Sequence, residues 1–246
     1  MGTEFDSLRD YVDGDDVRSI DWRASARAQN LVVRTWRPER DRRVIIVVDS
    51  SRLSARRCGT GTVFDAALES ALLLTALAAG AGDRVDVIVA DARVRAQASS
   101  HRVKDPVHEL SVALTPVFPE LLSADWEQIA SAVIRTSRQH ALVVLLTALD
   151  EGTVADEILP VLPSLLARHR VVVASVTDPD LEAMAADRSD VDAVHAAAAA
   201  EAQRLAEASL QARLRQSSVE SVTALPEALP GAVADLYIRL KATGKL

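Results

Sequence analysis

From Val44 onward, short apolar runs alternate with longer amphipathic stretches. Val44 to Val48 is apolar at every position, the pattern of a strand covered on both faces. Val85 to Ala90, Ala141 to Leu146 and Val171 to Val176 predict further strands, and Val219 to Thr223 a short one. Helices are predicted between them. Val63 to Ala79 has Asp65 near its start and Gly80 and Gly82 after its end. Asp125 to Arg138 has Ser123 and Asp125 as candidate caps. Val154 to Ala167 is bent or interrupted by Pro160 and Pro163. Asp190 to Gln216 is Ala-rich, with charges that keep one face wet. Leu229 to Lys241 closes the chain. Strands and helices in turn predict an α/β fold, with a mostly parallel sheet and helices on both faces.

Before Val44 the texture differs. Residues 1–43 interleave Arg with Asp and Glu, so the segment can satisfy its own charges. Leu31 to Arg37 alternates well enough to be a strand. The expectation is a charged segment, 1–43, packed on a main domain, 44–246, in a single structural unit.

Composition narrows the function classes. Hydrophobic residues are 49% of the 246 and aromatics 3%, so Val, Leu, Ile and Ala must build the core. A net charge of -7 argues against general nucleic-acid binding, which wants a basic surface. Cys58 is the only cysteine, which excludes an internal disulfide and suits a reducing compartment. No apolar run approaches the ~20 residues of a membrane helix. The charged start, MGTEFDSLRD, does not read as a signal peptide. Its abrupt entry suggests a piece of a longer protein.

In such a sheet, ligands bind beyond the carboxyl ends of the strands. Those ends read Asp49-Ser50-Ser51, Thr147-Ala148-Leu149-Asp150 and Thr177-Asp178-Pro179. Asp and Ser at a strand end also start turns and caps, so each alone is weak evidence. A phosphoryl-accepting aspartate has a second aspartate two residues on, and here that place is Ser51. Gly59-Thr60-Gly61-Thr62-Val63-Phe64 lies too far from Val48 for a dinucleotide loop, and ends in Phe. His101, His108, His140, His169 and His195 show no zinc spacing. His140 and His169 precede strands, away from the strand ends. Cys58 has Arg56 and Arg57 nearby, which could lower its pKa, but reads as an incidental loop thiol.

Asp49-Ser50-Ser51 also fits the first strand of a von Willebrand factor A-type domain, which ends in Asp-x-Ser-x-Ser. A Thr and an Asp from two other loops complete a magnesium site there. The N-terminal stretch EFDSLRDYVDGDDVRSIDWRASAR adds Glu4, Phe5, Leu8, Arg9, Tyr11, Gly14, Asp15, Arg18, Ile20, Asp21, Trp22, Ala26 and Arg27. This pattern closely resembles the domain-of-unknown-function-58 family, of actinobacterial type. The resemblance covers essentially the whole chain and implies a von Willebrand factor A-like, Rossmann-type fold. Family members often carry transmembrane helices before this domain, and their genes accompany MoxR-type AAA+ ATPases. They are regarded as interaction or chaperone-like partners.

Carried over residue by residue, Asp49 and Ser51 match the first two ligands. Leu53 stands where the motif wants Ser. The second-loop Thr falls near Ala124, with Ser123 or Asp125 as substitutes. The third-loop Asp falls at Ala148, and Asp150 is two residues late. Magnesium demands near-octahedral oxygen ligation and dehydrates reluctantly. No functional magnesium site and no other cofactor are therefore expected. Asp49 is expected to accept backbone N–H groups of the following loop. Asp15, Asp16, Arg18, Asp21 and Arg27 are expected to form an ion-pair network, with Trp22 buried as its anchor, or a partner-docking surface.

The resulting expectation is a non-enzymatic interaction domain with a degenerate metal site, partner or adaptor of a AAA+ ATPase. It would be cytoplasmic, at the inner membrane face in the full-length protein, and would touch the membrane only through a segment absent from this chain. The alternatives are a magnesium-dependent ligand-binding domain and an Asp49-based hydrolase or phosphotransferase.

Overall fold

The structure is a computed structural model that describes residues 4–13, 15–28, 30–37, 42–100, 103–150 and 152–246. Gly14 of the N-terminal motif and His101 lie outside the described residues. Contacts divide the chain into two compact units, Met1–Asp41 and Arg42–Leu246.

In the first unit, β1 (Glu4–Asp10) pairs antiparallel with β2 (Val32–Arg37). A single 3-10 turn, Val17–Ser19, and a short helix α1 (Trp22–Ala28) lie between them in sequence. Among its described side chains, Ile20, Val32 and Val33 are the buried apolar ones. Ile20 bridges to Val33.

The second unit holds a six-stranded sheet. Its strands are β3 (Arg43–Asp49), β6 (Arg84–Ala90), β7 (Val94–Ser99), β8 (Leu142–Leu146), β9 (Arg170–Val176) and β10 (Glu220–Ala224). Two-residue strands β4 (Arg57–Cys58) and β5 (Gly61–Thr62) form a small hairpin after β3. The order in the sheet is β10-β9-β8-β3-β6-β7. All neighbours are parallel except the edge pair β6 and β7. Val44 to Val48 in β3 are each wholly buried. Alternate side chains feed two different cores, so the continuous apolar run is needed to cover both faces.

Val44, Ile46 and Val48 pack with α2 (Val63–Gly80), α3 (Pro106–Leu114) and α8 (Leu229–Ala242). Ile45 and Val47 pack with α4 (Trp126–Thr136), α5 (Leu159–Leu166) and the last turns of α7 (Val191–Gln216). Burial of each such side chain contributes ~1.5–3 kcal/mol. The short α6 (Pro179–Ala186) follows β9 and packs with α7 through Leu181, Ala185 and Ala200.

Local chemistry sets the helix ends. Thr62 Oγ1 accepts from Asp65 N–H (3.2 Å), and Asp65 Oδ2 accepts from Thr62 N–H (2.8 Å), a capping box that starts α2. α2 is long and apolar enough to cross a membrane, with mean hydropathy 1.5. Half of it is buried in the unit, and it packs between the sheet, α3 and α8 as a core helix. Pro160 stands in the first turn of α5, whereas Pro163 lies inside it and does not interrupt it as expected. Thr153–Ile158 is wound as a π-helix, and regular α-helix resumes at Leu159. A buried cluster anchors α8: Tyr237 Oη donates to Asp83 Oδ2 (2.6 Å), and Lys241 Nζ donates to the same oxygen (2.9 Å).

Candidate functional site

The chain leaves β3 for β6 on one side and later enters β8 on the other. The carboxyl ends of β3 and β8 therefore flank the point where strand order reverses, where α/β sheets bind ligands. Asp49, Ser50 and Ser51 end β3 there, and Thr147 and Ala148 end β8. All five are buried.

Asp49 is wholly enclosed, and both of its oxygens are used. Oδ1 accepts from Ser51 N–H at 2.8 Å, the loop bond expected of it. Oδ2 accepts from Thr147 Oγ1–H at 2.7 Å, across 98 residues of sequence. Burial pushes the Asp49 carboxyl above its usual range. The bonds from Thr147 and Ser51 oppose that shift without cancelling it. Ser54 also faces the carboxylate and opposes the shift, although its Oγ closes no hydrogen bond of good geometry.

Of the other positions that a magnesium site would use, Leu53 packs half-buried against one core and Ala124 against the other. Ala148 is buried. Ser123 is exposed. Asp125 caps α4: Oδ1 accepts from Gln128 N–H and Oδ2 from Gln128 Nε2, both at 2.9 Å. Asp150 Oδ2 faces Thr153, whose N–H donates at 3.3 Å. No group of three or more His, Cys, Asp and Glu is placed to hold a metal among the described residues. One enclosed carboxylate with both oxygens already accepting does not fit a magnesium ion, which needs about six oxygens in a near-octahedral array.

A family model described as "Protein of unknown function DUF58" matches residues 7–219. The chain belongs to the DUF58 family. It is similar to the uncharacterized proteins Rv1480 of Mycobacterium tuberculosis and Mb1516 of Mycobacterium bovis. Each is 26% identical over 185 residues, 72% of this chain and 56% of theirs. The DUF58 chain thus matches little more than half the length of these relatives. Among solved structures it is similar to the von Willebrand factor A domain of SpRpn10, with TM-score 0.45 and 12% identity over 80% of this chain and 94% of that one. It is also similar to BatB of Bacteroides thetaiotaomicron, with TM-score 0.43 and 12% identity over 81% and 99%.

Beside Asp49, the DUF58 chain carries a second buried carboxylate that the sequence reading did not single out. Asp91 follows β6 as Ser50 follows β3, and it is wholly buried. Its Oδ2 accepts from Arg95 at 3.1 Å and from Ser50 Oγ at 3.4 Å, and its Oδ1 from Arg93 N–H at 3.1 Å. Arg95 also pairs with Glu120. A strand ending in Ala90-Asp91 was the available signal. Glu157, on the π-helical turn, lies near Asp49 and Arg52; burial pushes its carboxyl up, and Arg52 opposes this.

The structure also places Cys58 and His169. The Cys58 thiol is buried, and burial with Asp178 nearby pushes its pKa up, not down. His169 is buried, with no hydrogen-bond partner for either ring nitrogen among the described residues, and burial pushes its pKa down.

In the N-terminal unit the motif carboxylates do separate jobs. Asp15 binds the Arg9 guanidinium through both oxygens, at 2.6 and 2.7 Å, and its pKa falls to about 2. Asp16 caps the 3-10 turn through Arg18 N–H (2.9 Å). Asp21 caps α1 through Arg23 and Ala24 N–H groups, both at 3.0 Å. Arg18 and Arg27 are exposed and pair with no carboxylate among the described side chains. Trp22 is not the buried anchor expected of it: it is 68% exposed. The cap at Asp21 makes it the first residue of α1, and among the described side chains of this unit Ile20, Val32 and Val33 are the buried apolar ones.

Proposed function

We propose that this chain is a non-enzymatic protein-interaction domain whose strand-end site holds no magnesium, and that it serves as partner or adaptor of a AAA+ ATPase at the cytoplasmic face of a membrane. The observation that supports the reading is the state of Asp49. Each of its oxygens already accepts a hydrogen bond, from Ser51 and from Thr147, and the positions that would complete a metal shell are apolar side chains in or against the cores. A carboxylate enclosed between its own loop and the end of β8 is a structural element, not a ligand or nucleophile open to solvent.

A pull-down with the AAA+ ATPase encoded beside this chain, with and without magnesium, tests the reading. Capture that is equal in both conditions is expected. Absence of capture counts against partnership, and capture only with magnesium counts against a dead metal site. Millimolar magnesium should leave Tm unchanged. A stabilisation that disappears in Asp49→Ala would refute that part. A phosphatase substrate screen with Asp49→Asn as control should show no turnover.

A further inference from the structure

Asp49 and its neighbours occupy the carboxyl edge of the sheet, and the amino edge carries a different chemistry. Arg43 and Arg84 start β3 and β6 in register, and Leu142 of β8 stands beside Val44 and Arg170. The helices that lead into this edge end beside it. α4, α5 and α7 reach β8, β9 and β10 through residues 137–141, 167–169 and 217–219. Their last turns lie on one face of the sheet, held in a single core by Val133, Leu165 and Leu214.

At or just past these three C-termini stand five exposed arginines, Arg135, Arg138, Arg168, Arg213 and Arg215. None pairs with a carboxylate among the described residues. Elsewhere in the unit arginines do find partners: Arg95 has Asp91 and Glu120, and Arg56 has Asp178. The carboxylates of the amino edge are already committed. Glu220 pairs with Arg170 and Arg239, Asp86 with Arg43, and Asp83 with Tyr237 and Lys241. On the three helices, the carboxylate closest in sequence is Glu207, six residues before Arg213. Asp105, Glu109, Asp235 and the terminal carboxylate belong with α3, α8 and Leu246, which pack on the other face of the sheet. A basic side chain is the ordinary complement of a helix C-terminus, which carries about half a negative charge. Three such ends offset about one and a half positive charges, and the row exceeds that. Packed helices stand ~8–10 Å apart, about one Debye length at 0.1 M salt, so the excess repels itself until an outside anion meets it.

The rest of the row says what kind of anion. Its other residues are Ser, Thr, Gln, His and Ala, and no large apolar side chain is exposed on residues 135–140, 167–170 or 213–218. A protein partner needs an apolar or aromatic anchor at the centre of its interface. Single-stranded nucleic acid needs aromatic stacking platforms, and a duplex reader lays a helix or ribbon in a groove, whereas these helices present only their ends. An anionic bilayer asks only for charge density over a broad face, and its phosphates suit the guanidinium fork.

We propose that the amino edge of the sheet, through these five arginines, rests on the anionic phospholipid surface of a membrane. The assignment deepens the membrane-face part of the reading above and rests on it; the ATPase does not enter. The chain as a whole carries -7, so attraction to such a surface has to come through one face.

The test is sedimentation of the whole chain with vesicles of phosphatidylcholine, alone or in equal parts with phosphatidylglycerol. At about 0.1 M salt only the mixed vesicles should take up the chain, and raising the salt to about 1 M should release it. Each arginine beside an anionic surface is worth roughly fivefold in affinity, so Arg138→Gln, Arg168→Gln and Arg215→Gln together should weaken binding about a hundredfold. All three side chains are exposed, and an unchanged melting curve confirms that the variant is folded. Lys at the same three positions keeps the charge and should bind within about threefold of the native chain. Arg52→Gln, Arg57→Gln and Arg93→Gln together make the same change in net charge beyond the carboxyl ends of β3 and β6, where all three are exposed, and should leave binding unaltered. No uptake by the mixed vesicles, equal loss in the two Gln triples, or loss in the Lys triple overturns the proposal. So does release from the vesicles by millimolar inorganic phosphate at constant ionic strength, which would make free phosphate the ligand. Binding of an oligonucleotide or of polyglutamate, abolished by the first Gln triple and found without vesicle uptake, overturns it as well. Capture of the ATPase without vesicle uptake sinks the lipid assignment and leaves the interaction reading standing. Vesicle uptake without capture of the ATPase does the opposite.

Discussion

Replacing Thr147 with Val removes one hydroxyl and keeps the branched shape of the side chain. In the native protein that hydroxyl donates to Asp49 Oδ2 at 2.7 Å, between two fully enclosed groups. A hydrogen bond to a charged group is worth ~1.5–3 kcal/mol, and Ser51 N–H still serves the other oxygen after the change. Thr147→Val should therefore lose ~1.5–3 kcal/mol where Asp49 is ionised, a fall in Tm of about 3–12 °C for a domain of this size, and ~0.5–1.5 kcal/mol where burial keeps it protonated. In an Asp49→Asn background the bond joins neutral groups, and the loss should shrink to ~0.5–1.5 kcal/mol. The pH dependence has a definite sign. Burial raises the Asp49 pKa in the folded state, so its contribution to stability is complete below the ordinary carboxylate value of about 3.9 and is lost as pH rises through the raised value. The Thr147 bond is stronger to the ionised form, so the penalty of Thr147→Val should grow as pH rises over that interval. Urea unfolding followed by circular dichroism, repeated across that range, measures it. A loss below ~0.5 kcal/mol at neutral pH, within the scatter of ordinary surface substitutions, refutes the role given to this bond. A penalty that grows as pH falls refutes it as well.

Three further outcomes are expected. Tyr237→Phe removes the donor at 2.6 Å from Asp83 and should lower stability by ~1.5–3 kcal/mol in urea unfolding, while Lys241 keeps Asp83 paired. His169 has a lowered pKa, so its contribution is complete above the ordinary value of about 6.5 and is lost as pH falls toward the folded value. His169→Phe should flatten the stability–pH profile across that window; an unchanged slope would show that another group titrates. Asp15 should titrate near pH 2 by NMR in the native chain, and toward the ordinary carboxylate range in Arg9→Ala.

The local pattern was a reliable guide to most of the main unit. The strands β3, β6, β8 and β9 and the helices α2, α4, α7 and α8 lie where apolar runs, helical periodicity and caps place them. Asp125 does cap α4, and Asp49 does bind the backbone N–H of Ser51. Both are contacts within three residues, so the neighbouring residues suffice to specify them. Less was legible where polar and apolar residues mix without a clean period. The short helices α3 and α6 belong to that class, whereas the edge strand β7, VRAQAS, does alternate apolar and polar residues and was missed despite that signal. Of the candidate site, Asp49 and Ser51 were visible. The Asp91, Arg95 and Glu120 group was not, because its members come together only when β6, β7 and the α3–α4 loop meet.

The sequence by itself determined that residues 44 onward form an α/β sheet covered on both faces, since unbroken apolar runs have no other stable home in water. It also determined that the side chains of Leu53, Ala124 and Ala148 can donate nothing to a metal. Tertiary structure alone decided the rest of the site. Thr147, far along the chain, became the second partner of Asp49 because β8 pairs beside β3. Trp22 faces outward as the first residue of α1, whose start is set by the cap at Asp21. Enclosure raised the Cys58 and Asp49 pKa values, outweighing nearby groups that pull the other way. Each of these depends on what surrounds a group in space, and desolvation and long-range pairing are properties of the packed chain, not of any short segment.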